Sequence, residues 1–357
     1  MKPGHLLLVA SVLALAVPAV AQDAGPGRGR GRGQQQGAPA SGGRSMTQPA
    51  PSDLGVEPDA PELPYHHGKQ PEAPNGEAFG NVAAVALMAN GDLLVFNRNP
   101  AIMMVQYDPT GTTVKKVFNP SIADNAHGLR VDSHGNIWTI DSYQGVIYKQ
   151  DSSGSVMKVF GTRGQNGPWD DSQWNGMFNQ PLDLAFDNED NFYVVQSHGG
   201  TSRGSAGTSP AGSDPRVLKF DKDGNYIASA SLARPDGLYP TIHTVIVAPN
   251  GDVWVGDRHS RKIIVLDKDL ENRREIGVPV MPCGFFADAT GQLWMSSGRD
   301  GRILKLGWDG TVQGYMGQRG TTPNDIGEGH YLAVSRDQMH VWVADSTQQK
   351  VLHFERH

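Results

Sequence analysis

Between Ala83 and Ser346 one arrangement of apolar and polar positions recurs six times: a short apolar run, a polar turn and a second apolar run, sixteen residues in all. The copies are AAVALMANGDLLVFNR from Ala83, HGLRVDSHGNIWTIDS from His127, LDLAFDNEDNFYVVQS from Leu182, HTVIVAPNGDVWVGDR from His243, CGFFADATGQLWMSSG from Cys283 and HYLAVSRDQMHVWVADS from His330. Five align without a gap, and the sixth carries one extra turn residue. Apolar runs joined by Asn-Gly, His-Gly or Thr-Gly predict β-hairpins. Third strands are predicted at Ile147 to Lys149, Val217 to Phe220, Ile263 to Leu266, Ile303 to Leu306 and Val351 to Phe354. Fourth strands are predicted at Val156 to Phe160, Tyr226 to Ser231 and Val312 to Met316. Four antiparallel strands repeated at intervals of roughly 40 to 60 residues predict an all-β chain folded as a six-bladed β-propeller.

The first position of the repeat is histidine in the second, fourth and sixth copies only. In a six-bladed ring the first strand of each blade lines the central channel, so alternate blades stand roughly 120° apart. His127, His243 and His330 should therefore face one another across the channel. Taken singly, each fits a hydrogen-bonded channel residue. Three imidazoles converging on one point, with a fourth position open, describe a catalytic zinc site.

The chain opens with Lys2, an apolar run from Leu6 to Val17 and the small residues Ala19, Val20 and Ala21, which predict a signal peptide over residues 1–21. The expected location is the periplasm or the cell exterior. The run is too short for a transmembrane helix. Residues 22–52 are rich in Gly, Arg, Gln and Pro and are expected to be a disordered linker. The propeller is assigned to 53–357, and no fourth strand remains after His357 for the last blade, so the segment 53–80 is expected to supply it. The single cysteine, Cys283, excludes an intramolecular disulfide and is read as a small buried hydrophobe rather than a ligand. A formal net charge of −6 gives no support to a nucleic-acid partner, GRGRGRG from Gly27 notwithstanding. A monomer acting on a small-molecule or peptide substrate is the expected form.

The end of the second strand lies on the same face as the start of the first, so the closing residues Arg98, Ser142, Ser197, Arg258, Gly298 and Ser346 belong near the histidines. Arg98 and Arg258 would bring guanidinium forks suited to a carboxylate or a developing oxyanion. For Arg258 a blade-to-blade salt bridge with Asp257 or Asp345 is the equal alternative. The long connections Thr162 to Gln180, with Trp169 and Trp174, Gly199 to Pro215, and Leu232 to Ile242 fall on the same face, where long loops usually form a binding surface. The tryptophans are expected to pack between blades rather than contact substrate.

These residues carry a resemblance. The repeats look like NHL repeats, and LLVFNR ending at Arg98, HGLRVDSHGNIWTID, FNQPLDLAF, IHTVIVAPNGDVWVGDR and GHYLAVS resemble the lyase of peptide amidation, peptidyl-α-hydroxyglycine α-amidating lyase. The resemblance spans about Phe79 to Phe354. It implies zinc on His127, His243 and His330, an active-site arginine at Arg98, and release of glyoxylate and a peptide amide from a C-terminal α-hydroxyglycine. It also implies a structural calcium on backbone carbonyls matching Val85 and Leu129 and on an aspartate after the third histidine. Here that aspartate is Tyr331, which removes the only charged calcium ligand. The family's catalytic tyrosine falls at His198, whose imidazole suits proton transfer near neutral pH or a fourth metal bond. Tyr143, at the matching place in the second blade, would supply a phenol from another direction.

The leading expectation is a secreted zinc-dependent lyase with Arg98, Arg258, His198 and Tyr143 as its catalytic candidates. The alternative is a non-catalytic NHL-type propeller that binds a protein or glycan through its loop-rich face. A calcium-dependent sugar-lactone hydrolase ranks below both, because such sites resemble a Glu, Asn and Asp cluster where this chain places imidazoles.

Overall fold

The computed structural model describes residues 55–118, 122–165, 174–196, 214–234 and 240–357. A short strand β1 (Tyr65–His67) comes first. The first blade is β2 (Val82–Leu87), β3 (Leu93–Asn97), β4 (Met104–Tyr107) and β5 (Val114–Val117). The second is β6 (Ala126–Val131), β7 (Ile137–Asp141), β8 (Val146–Gln150) and β9 (Val156–Phe160). The third is β10 (Pro181–Phe186), β11 (Phe192–Gln196), β12 (Arg216–Phe220) and β13 (Tyr226–Ser231), and the fourth is β14 (Ile242–Val247), β15 (Val253–Asp257), β16 (Lys262–Leu266) and β17 (Arg274–Gly277). The fifth is β18 (Gly284–Ala287), β19 (Leu293–Ser296), β20 (Ile303–Leu306) and β21 (Val312–Met316). In the sixth, β22 (Gly329–Val334), β23 (His340–Asp345) and β24 (Lys350–Arg356) are completed by β1, which pairs antiparallel with β24 and joins the two ends of the propeller in one sheet.

Six four-stranded antiparallel sheets make a six-bladed β-propeller. Burial follows the strand order: β2, β3, β10, β11, β14 and β15 are buried almost throughout, whereas β17 is mostly exposed and β5 is exposed over its first half. The outer strands VKKV and REIG carry no apolar alternation, which is why the sequence pattern does not predict them. Apolar clusters fill the spaces between sheets. One of them packs Trp138, Phe160, Phe192 and Phe220 with ring centroids 5.0 to 5.3 Å apart, each such side chain contributing about 1.5–3 kcal/mol by burial.

The hairpin turns use aspartate. Asp132 accepts the backbone N–H groups of His134 and Asn136 and the indole N–H of Trp138 at 2.9 Å, and Asp288 does the same for Thr290, Gln292 and Trp294. The turn and the largest core side chain of these blades are thereby fixed by one carboxylate. A second set of polar side chains closes the inner hairpins at the opposite end. Asp141, Asp257 and Asp345, at the ends of second strands, accept N–H groups from the segment leading into the first strand of the same blade, at Asp124, Thr241 and Gly327 respectively.

The first strands are not regular. In five blades the register slips at the first repeat position, between Val82 and Ala84, Ala126 and Leu129, Pro181 and Asp183, Ile242 and Thr244, and Gly329 and Leu332. A β-bulge leaves a residue outside the ladder and re-aims its side chain. Ala83, His127, Leu182, His243 and His330 all sit within these bulges.

Candidate metal centre in the channel

His127 on β6, His243 on β14 and His330 on β22 converge, with ring centroids 4.6 to 5.1 Å apart. All three are buried, and one nitrogen from each lies within 4.8 Å of the others. Their Nδ1 atoms point away from the convergence. Nδ1 of His127 lies 2.9 Å from the carbonyl oxygen of Leu182, that of His243 2.5 Å from Cys283, and that of His330 2.5 Å from Ala83. Leu182, Cys283 and Ala83 are the first repeat positions of the third, fifth and first blades. Each even blade therefore supplies an imidazole and the following odd blade supplies the carbonyl that orients it.

A carbonyl only accepts, so Nδ1 carries the proton and Nε2 the lone pair. Three buried lone pairs facing one point are what a divalent cation satisfies, and a carbonyl on the far nitrogen is the usual outer partner of a metal-bound histidine. Burial pulls the His330 imidazole down to about 4, the nearby Glu328 opposing and Arg258 assisting, so the ring is neutral at physiological pH. The residues present fit zinc. Close approach of the blades here needs glycine: a side chain at Gly128 would begin 2.6 Å from the Leu182 carbonyl, and one at Gly284 within contact of the His330 carbonyl.

The two arginines differ. Arg98 is half-buried and donates from Nε to the carbonyl of Ala126, one residue before His127, at 3.0 Å. Its charge also acts on His330, so it stands at the rim of the cluster. Arg258 is buried and donates to Glu328 at 2.5 Å. The expected partners Asp257 and Asp345 are instead occupied with the backbone N–H groups described above, which corrects that expectation: the salt bridge joins the fourth blade to the sixth through Glu328. Burial alone would raise the Glu328 carboxyl, but the charges of Arg258 and Arg299 and the hydrogen bond from Arg258 hold it at about 2. Sequence reasoning passed over Glu328, a charged residue next to the glycine that opens β22.

Cys283 is fully buried and burial pushes its thiol up to about 12, so it remains protonated; its sulfur is 3.7 Å from His243 Nδ1, and its carbonyl makes the closer contact. Tyr143 is exposed on the loop after β7, unlike the buried imidazoles. His198, Ser197 and Trp169 lie outside the described residues, as do most of 199–215 and the middles of the other two long connections. Trp174 packs between blades, 4.8 Å from Phe178 and 5.2 Å from Phe220.

Adjacent to the imidazoles the channel holds Tyr331. Its hydroxyl donates to the carbonyl of His243 at 3.0 Å and of Leu182 at 3.3 Å, and its ring centroid is 4.9 Å from that of His330. Arg130 lies over this ring at 5.4 Å, paired with buried Asp183 at 2.9 and 2.6 Å and donating to the Phe285 carbonyl at 3.0 Å. Asp183 also accepts from Thr244 Oγ1 and Val245 N. Calcium takes a shell of oxygen ligands, commonly with carboxylates among them. Val85 and Leu129 sit in their strand ladders opposite Val95 and Thr139, while the aspartate position offers a hydrogen-bond donor and a nearby guanidinium. These residues do not fit calcium.

No family model matches the chain. It is similar to NHL repeat-containing protein 3 of Mus musculus and of Homo sapiens, 27% identical to each over 158 residues, or 41% of this chain. The match spans 40% of the length of those relatives. Among solved structures, a streptogramin B lyase superposes with a TM-score of 0.58 at 13% identity, covering 82% of this chain and 98% of that one. A gluconolactonase from Xanthomonas campestris gives 0.58 at 18% identity, covering 85% and 100%. The chain is a six-bladed β-propeller, similar over part of its length to NHL repeat-containing proteins. One fold serves many functions, so these superpositions speak to fold and the channel must speak to chemistry.

Proposed function

We propose that this NHL-like propeller is an exported, zinc-dependent carbon–nitrogen lyase acting on a small hydroxylated amide, of the kind that ends in α-hydroxyglycine. The observation that carries the reading is the orientation of His127, His243 and His330, each with Nδ1 engaged by the next blade's carbonyl and Nε2 turned toward a shared point. A purely structural triad would need no common orientation of three lone pairs.

Zinc held there would polarise the substrate hydroxyl as a Lewis acid. Arg98, at the rim beside Ala126, is suited to bind the substrate carboxylate and to stabilise negative charge as the hydroxyl proton leaves. As the hydroxyl carbon becomes a carbonyl, the C–N bond breaks and its nitrogen takes a proton. His198 is assigned that proton transfer, with Tyr143 as the other candidate. Arg258 is given a positioning role, because its guanidinium is committed to Glu328. The lactone-hydrolase reading finds less support: the first repeat positions are Ala, His, Leu, His, Cys and His, and the channel carboxylate Asp183 is held by Arg130.

The test is glyoxylate release from an α-hydroxyglycine peptide by the mature chain. His243→Ala should lose metal and turnover together, and Arg98→Ala should keep metal while turnover falls by about 10²–10³-fold, the usual effect of removing one charge-stabilising donor. Full activity in a zinc-free variant would overturn the proposal.

A further inference from the structure

Away from the channel, the closing seam of the ring carries a second histidine cluster. His340 on β23 stands directly opposite Glu355 on β24, and Glu355 in turn stands opposite His66 on β1. His353, two residues before Glu355, pairs with Trp342, two residues after His340, so His340, Trp342, His353 and Glu355 share one face of the sheet. His340 Nδ1 is 3.0 Å from His353 Nε2. Glu355 Oε1 lies 3.9 Å from His340 Nδ1, and its Oε2 lies 3.7 Å from His66 Nε2.

We propose that His340, His353 and Glu355 form a binding site for a divalent transition metal, separate from the channel and independent of the lyase reading. One donor atom from each lies within 4.8 Å of the others. Two nitrogens bound tetrahedrally at about 2.0–2.1 Å stand about 3.3 Å apart, so the imidazoles need only a small separation to admit the ion. His353 is preset for the task. Its Nδ1 faces the carbonyl of Lys69 at 2.8 Å, which places the proton there and leaves the Nε2 lone pair directed at His340. Trp342 stacks on both rings, at 5.2 Å and 7° to His353 and 5.4 Å and 26° to His340, and limits their rotation. His353 is buried and His340 and Glu355 are partly exposed, so an ion can enter from solvent and keep a position for water or for His66.

Two imidazoles and one carboxylate suit zinc, copper or nickel rather than magnesium or calcium. The ion would fasten the structure where it closes. His353 already holds the segment after β1 through Lys69, and its own carbonyl accepts from Gly68 N at 3.0 Å. A ligand that binds only the native state raises stability by mass action.

The test uses tag-free full-length protein, stripped with a chelator, re-equilibrated with zinc and measured by elemental mass spectrometry beside thermal melting. Wild type is expected to hold one equivalent more than His340→Ala and than Glu355→Gln. The seam equivalent should persist in His243→Ala, and the zinc-induced rise in melting temperature should shrink in both seam variants. Both substitutions are at partly exposed positions, which guards against simple unfolding. Equal metal content in wild type and the two seam variants, with the same zinc-induced rise, would overturn the proposal.

Discussion

His330 reaches across the closure of the ring to the backbone carbonyl of Ala83, so the last repeat orients its channel imidazole on the first. His127 and His243 make the same contact with Leu182 and Cys283. The bulges explain why those carbonyls are available in the first and third blades: Ala83 and Leu182 lie where the ladder register slips, and a residue outside the ladder keeps its carbonyl for another partner.

Gly128 lies against the Leu182 carbonyl that orients His127. Gly128→Ala would press a methyl group to 2.6 Å from the Leu182 oxygen that orients His127. Displacing that outer partner should weaken metal affinity about 10–100-fold, and overpacking should cost about 1–3 kcal/mol of stability. Competition with a chelating dye and denaturant unfolding would measure the two effects separately.

Arg258 and Glu328 are both buried, and removing Arg258 leaves the Glu328 carboxylate with only the more distant Arg299, at 3.9 Å. Arg258→Ala should destabilise by about 3–5 kcal/mol. Replacing both with apolar residues of similar volume should recover most of that loss. A double-mutant cycle in guanidinium checks the recovery, and additive losses would show that the pair is not coupled.

Acid should act through the turn aspartates. Burial alone would raise Asp132 and Asp288, but hydrogen bonds from Trp138 and Asn136, and from Thr290 and Trp294, leave both carboxyls below the ordinary range. A depressed folded value stabilises above the unfolded value, so this contribution is complete above about pH 4 and is lost as pH falls through the lower folded value. Asp132→Asn and Asp288→Asn should lower stability at neutral pH and flatten the acid limb of the stability curve, read from urea midpoints between neutral pH and pH 3.

Calcium should not stabilise this chain. With Tyr331 donating to the Leu182 and His243 carbonyls and Arg130 over its ring, calcium added to chelator-treated protein should leave the melting temperature unchanged. Tyr331→Phe removes the donor to two buried carbonyls and should cost about 1–3 kcal/mol. A calcium-dependent rise in wild type would contradict the assignment of the channel to Tyr331.

The sequence made the inner hairpins and the histidine alternation legible because both rest on strict spacing, period two along each strand and one imidazole in every second repeat. The outer strands β5 and β17 were not legible, since exposed edge residues such as Lys115, Arg274 and Glu275 carry no alternation. Arg130 and Asp183 were visible as charges inside apolar first strands, yet their meeting over Tyr331 depends on how blades two, three and six face one another, which spacing within a blade does not reveal. Glu328 took Arg258 for the same reason: neighbours in register are not always neighbours across the channel. The seam cluster follows from the pairings of β1, β23 and β24, and only the pairing of β1 with β24 joins residues 66 and 355.

The most direct test of the central claim is anomalous diffraction at the zinc edge from crystals of the full-length protein equilibrated with zinc. The account predicts a peak in the channel about 2.0–2.1 Å from the Nε2 atoms of His127, His243 and His330, absent from crystals of His243→Ala. A channel without an anomalous peak, with the imidazoles hydrogen-bonded to one another or to water, would contradict it.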